Sequence, residues 1–158
     1  MSGEVMQTTT IYWPRRGFIL LAAFLALVLS TSCARAPNEE ALRERLDQLQ
    51  SAGENKDVSG FVDVLADDFV GNSNEYDKLG MERLIRLMAL RHQSIGVTRT
   101  ALSIDMHQDR AVVQMQVLIT GGKGGLIPEQ GQWFDIESAW RFVDGNWQLG
   151  SATWKARR

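Results

Sequence analysis

Cysteine is almost missing from this chain: Cys33 is the only one in 158 residues. A disulfide framework within one molecule is therefore excluded, because pairing needs a second thiol. Histidine is nearly as scarce. With only His92 and His107, and no HExxH-like spacing, a tetrahedral Cys/His zinc site has too few ligands, and no metal is expected. Neither sign of charge dominates, with 17 basic against 19 acidic residues and a net charge of −2, the signs interspersed. No basic stripe exists to neutralise phosphates, so nucleic acid is not an expected partner. A membrane-spanning run is also lacking. Gly17–Leu29 is unbroken Gly, Phe, Ile, Leu, Ala and Val, yet it falls short of the ~20 residues that a helix needs to cross a bilayer. What remains, 44% hydrophobic and 23% charged, is the composition of one globular domain.

The apolar run has a basic pair before it and small residues after it, the layout of an export signal. Leu29-Ser30-Thr31-Ser32-Cys33 resembles the lipobox of bacterial lipoproteins, with the aliphatic residue one position further out than in the common pattern. The resemblance implies cleavage before Cys33 and lipid on its thiol. The expected division is a signal peptide over residues 1–32, a tether over 33–37 and a domain over 38–158. A plain secretory peptide cut near Cys33 is the simpler alternative. Pro14-Arg15-Arg16-Gly17-Phe18-Ile19 resembles the twin-arginine export motif, while Arg15 and Arg16 also suffice as the positive end of an ordinary signal. Ala34 stands where an inner-membrane lipoprotein commonly carries aspartate. By resemblance, the expected location is the cell envelope, on the periplasmic face of the outer membrane in a two-membraned organism.

Beyond Pro37 the apolar spacing turns helical. Asn38 can cap a helix in which Leu42, Leu46 and Leu49 recur at i, i+4, i+7. Asp57 can cap a second, with Val58, Phe61, Val62 and Leu65 on one face. A short strand and turn are expected over residues 67–74. From about Gly80, Met81, Leu84, Ile85 and Met88 form the stripe of a third helix. After Ser94 the period becomes two, giving strands over 97–106, 110–120, 132–143 and 146–155. Asp144-Gly145 marks a two-residue hairpin turn.

Three helices ahead of a long meander, with Leu65-Ala66-Asp67-Asp68-Phe69 closing the second helix, Gly80 opening the third and Asp144-Gly145-Asn146-Trp147 near the end, resemble the nuclear transport factor two-like superfamily. Its polyketide-cyclase-like and ketosteroid-isomerase-like branches are included. The resemblance implies an α+β fold in which a strongly curved antiparallel sheet wraps as a cone around about three N-terminal helices, often with a pocket at the open end. In the isomerase branch a general-base aspartate follows the second helix. Val70-Gly71-Asn72-Ser73-Asn74 occupies that stretch here without a carboxylate, and Tyr76 and Asp77, slightly later, are the remaining acid–base candidates.

If Asp144-Gly145 forms the turn, Phe142 pairs with Trp147. Ser138, Trp140 and Phe142 then share an apolar face with Trp147, Ser151 and Thr153. Those six residues could line a small-molecule site, or the aromatics could be filled core with the hydroxyls bonded to backbone. Asp135, Glu137 and Arg141 point away from that face, as a solvated charge cluster. His92 and His107 are expected at the surface. Gly121-Gly122-Lys123-Gly124-Gly125 lacks the Lys-Ser/Thr and helix of a phosphate loop and is expected to be a hairpin tip, with Leu126 and Ile127 available to cover a pocket. No cofactor is expected. The leading expectation is an envelope lipoprotein whose domain binds a small apolar molecule or an envelope protein without catalysis. An isomerase, cyclase or dehydratase is the alternative, and a subunit of an envelope assembly, dimerising through the outer sheet face, is the third reading.

Overall fold

The structure, a computed structural model, describes residues 36–122 and 130–157. Helix α1 spans Glu39–Glu54, α2 Val58–Val62 and α3 Lys78–Arg91. The strands are β1 Leu65–Gly71, β2 Tyr76–Asp77, β3 Ser94–His107, β4 Arg110–Gly122, β5 Gln130–Val143 and β6 Asn146–Ala156. They form one curved six-stranded sheet in the order β2-β1-β6-β5-β4-β3.

Each helix begins where a short acceptor side chain can satisfy its free N–H groups. Asn38 Oδ1 accepts from the Ala41 amide at 2.7 Å, and Asp57 Oδ1 accepts from Gly60 at 3.0 Å. Asp77 Oδ1 accepts from Gly80 at 2.6 Å, so α3 starts at Lys78 rather than at Gly80. The stripe of α1 is buried as its period requires, with Leu42 and Leu46 essentially inaccessible. The second helix is shorter than its apolar spacing suggests. It stops at Val62, and Leu65-Ala66-Asp67-Asp68-Phe69 is a strand rather than a helix end. The cause is a long-range bond: the Leu149 amide donates to Val64 O at 2.9 Å, drawing the chain into the sheet beside β6.

That pairing of β1 with β6 is parallel, whereas every other pairing is antiparallel. The β5–β6 hairpin forms as its turn chemistry dictates. Asp144 and Gly145 both take positive φ, 50° and 81°, the mirror-image turn whose twist matches its strands. Two bulges bend the antiparallel part of the sheet, besides a register shift between Leu65 and Val70 where β1 meets β6. One adds a residue to β3 between Thr100 and Ser103, with Ala101 at φ 49°. The other leaves Gly150 of β6 unpaired, since Trp140 faces Leu149 and Ala139 faces Ser151. The core lies between α1, the start of α3 and the concave face of the sheet, built on Leu42, Leu46, Val64, Phe69, Val113, Trp140 and Trp147. Among the described residues no helix is long and apolar enough to cross a membrane.

Candidate functional site: an apolar cavity under the helices

The core does not close completely. A cavity of about 760 Å³ remains between α1, α3 and the concave sheet face, within the ~300–1,000 Å³ typical of small-molecule sites. The helices contribute Leu46, Leu49, Met81, Leu84, Ile85 and Met88, and the sheet contributes Phe69, Met115, Val117, Phe134, Ile136 and Trp140. Met81 belongs to the buried core and Leu84 and Ile85 pack against it, so the stripe of α3 is shared between packed core and cavity wall.

Polar groups in the wall fall into two sets. Deep inside, Ser138 is 3% exposed; its hydroxyl accepts from Trp140 Nε1 at 3.0 Å and donates to Val113 O at 3.3 Å, so its bonding capacity is largely spent within the fold. Tyr76 is half-buried with its ring tilted against Trp154, centroids 5.7 Å apart. The Glu75 carboxylate beside it, first by hydrogen bonding, pushes the phenol above its ordinary pKa. The second set lies toward the exposed rim: Gln50, Lys56, His92, Arg99, Thr120 and Gln132. Arg99 is already engaged, pairing with Asp47 and donating from Nε to Gln50 Oε1 at 2.6 Å. No aspartate or glutamate lines the cavity among the described residues.

The candidate residues are distributed unevenly about this space. Trp140, Ser138 and Tyr76 line it. Phe142 and Trp147 do not; they pack edge-to-face, centroids 5.4 Å apart, and Trp147 Nε1 donates to Asn38 O at 3.2 Å. Ser151 and Thr153 are displaced from the expected face. The extra residue Gly150 shifts the alternation of β6 by one, turning Ala152 and Trp154 inward and Ser151 and Thr153 outward. Asp77 is outside the cavity wall and serves α3 as its cap. His92, expected at the surface, lines the cavity, while His107 is exposed with Nε2 3.1 Å from Asp105. Arg15, Arg16 and Cys33 lie outside the described residues, as do Lys123–Ile127.

The charged cluster of the outer face is held by pairing. Arg141 forms a two-pronged bond with Asp68, and Glu137 accepts from Gln114 at 2.9 Å. Arg141 and Lys78 hold the carboxyls of Asp68 and Asp67, respectively, below the ordinary aspartate range, each chiefly by hydrogen bonding.

Among the described residues, three helices under a curved, open, six-stranded sheet with a cavity between them have the cone fold of NTF2-like proteins. Solved structures agree. A scytalone dehydratase-like protein of Novosphingobium aromaticivorans matches with a TM-score of 0.68 and 10% identity over 75% of this chain and 83% of that one. An NTF2-like protein of Cytophaga hutchinsonii matches at 0.61 with 21% identity, covering 77% and 100%. A dehydratase-like member of the NTF2-like family from Streptomyces avermitilis matches at 0.63 with 18% identity, covering 75% and 95%. At these identities the likeness carries the fold alone. No family model matches the chain, and no curated protein matches it.

Proposed function

We propose that this protein is a ligand-binding lipoprotein of the cell envelope: its cone-shaped domain holds a small apolar molecule without transforming it, and lipid on Cys33 tethers it to the membrane. The observation that supports ligand binding is the cavity of about 760 Å³ under α3, apolar in its depth and without a carboxylate in its wall among the described residues. Acid–base chemistry on a bound molecule needs a group that can take or give a proton within hydrogen-bond reach. Deep in the wall Ser138 is committed to Trp140 and Val113, Asp77 is committed to α3, and the basic side chains Lys56, His92 and Arg99 stand at the rim rather than in the apolar depth. The tether rests on the Leu29–Cys33 pattern after the apolar run.

Tyr76 on the cavity wall, together with dehydratase-like fold neighbours, favours an isomerase, cyclase or dehydratase as the second reading. In that case Tyr76→Phe would abolish turnover of a cyclic ketone or hydroxy-aromatic substrate by the full chain.

Titration of the full chain with N-phenylnaphthylamine, a neutral fluorescent probe, tests the leading reading. Saturable binding of one probe per chain is expected, and Val117→Trp, which fills the cavity from the sheet side, should abolish it while a cooperative thermal transition persists. Absence of saturable binding, or equal binding by Val117→Trp, defeats the proposal.

A further inference from the structure

The rim of the cavity is chemically one-sided. Its ionisable members are Lys56, His92 and Arg99, with no acidic residue in the wall among the described residues. Arg99 is neutralised by Asp47, which leaves two basic groups whose capacity the fold does not use. Lys56 Nζ has a single partner, the Gln93 carbonyl at 3.1 Å, and no ion pair among the described residues. An ammonium carries three donors, so two remain. The His92 ring nitrogens have no hydrogen-bond partner among the described residues.

These two side chains are brought together from separate parts of the chain. Lys56 stands in the junction between α1 and α2, at φ 57°, a left-handed conformation uncommon for a residue with a side chain. His92 ends α3, and its imidazole lies over Gly121 of β4. A Cβ at Gly121 would fall 2.7 Å from His92 Nδ1, so glycine there makes the room that the ring occupies. Gln93 joins the two: its amide donates to Gly122 O at 3.0 Å, and its carbonyl receives Lys56. An ammonium and an imidazole thus border the same side of an apolar cavity.

We infer that the ligand is an amphipathic anion, with its apolar body in the cavity and its anionic group at the rim on Lys56 and His92. This rests on the proposed ligand-binding role and adds the chemical class. A neutral molecule of the same shape leaves the ammonium donors without a charged acceptor, and a cation meets like charge, so the rim discriminates by sign.

Binding of decanoate, decanol and decyltrimethylammonium to the full chain, read by displacement of N-phenylnaphthylamine, tests the inference. Decanoate is expected to bind about tenfold more tightly than decanol, the effect of one charge-assisted hydrogen-bond set, and decyltrimethylammonium more weakly than either. In the double variant Lys56→Gln, His92→Gln the advantage of decanoate should disappear. Should that variant fail to fold, Lys56→Glu alone is expected to move the preference from decanoate to decyltrimethylammonium. Equal affinity of decanoate and decanol for the wild type, or an advantage that survives the substitutions, overturns the inference and leaves the cavity's ligand-binding role standing. Failure of all three to displace a bound probe overturns the inference, and failure of the probe to bind overturns both.

Discussion

Tyr76 and Asp77 are neighbours in sequence with opposite placements. In the two-residue strand β2 successive side chains leave on opposite sides, which sends Tyr76 to the cavity wall and Asp77 to the first turn of α3. A carboxylate that caps a helix has its oxygen occupied by a backbone amide. Its expected contribution is therefore to stability. Asp77→Ala should cost about 1 kcal/mol, with Asp77→Asn nearly neutral because the amide oxygen still accepts. Denaturant unfolding measures both, and neither should alter N-phenylnaphthylamine affinity. A large loss of function in a fully folded Asp77→Asn would instead place the residue in chemistry. The sequence offered Asp77 only as an acid–base candidate. Its role as a cap is decided by how close the Gly80 amide comes, 2.6 Å from its oxygen.

Elements were more legible than single residues wherever their signals were local. Asn38 with the Leu42–Leu46–Leu49 spacing gives α1, and Asp144-Gly145 gives the β5–β6 turn with Val143 opposite Asn146. Signals failed where a distant strand intervened. Val58–Leu65 has helical spacing, yet Leu149 captures Val64 and the helix lasts five residues. Gly150 is the sharper case. Counting outward from the turn places Ser151 and Thr153 on the apolar face; one unpaired residue reverses every side chain after it. Deleting Gly150 is expected to turn Ala152 and Trp154 outward and separate Trp154 from Tyr76. Circular dichroism during heating should show loss of the cooperative transition. An unchanged melting temperature would mean that β6 re-registers at no cost.

For the molecule as a whole, the proposed division of labour is a tether in one part of the chain and a ligand chamber in the other. If lipid on Cys33 is the anchor, Cys33→Ser should move the protein from the membrane fraction to the soluble fraction after export, with probe affinity unchanged in the folded domain. Mass spectrometry of the mature N-terminus then reports an acyl adduct on wild-type Cys33. A wild-type protein with a free thiol there defeats the anchor and leaves the cavity argument untouched. The cavity itself is a property of no single element. Met81, Leu84 and Ile85 on α3 and Met115, Val117 and Phe134 on the sheet are each consistent with filled core.

The sequence by itself determined what neighbouring residues can settle: the α+β order, the caps of the first two helices, the tight turn and the impossibility of an internal disulfide. Helix periods and turn conformations depend on atoms a few positions apart, so they can be read along the chain. Only the tertiary structure decided that the helices and sheet stand far enough apart to leave about 760 Å³ open, that β1 joins β6 in parallel, and that His92 and Lys56 both line the cavity. These follow from the spacing of layers and from a register shifted by one residue, which are set by the packing of segments distant in sequence.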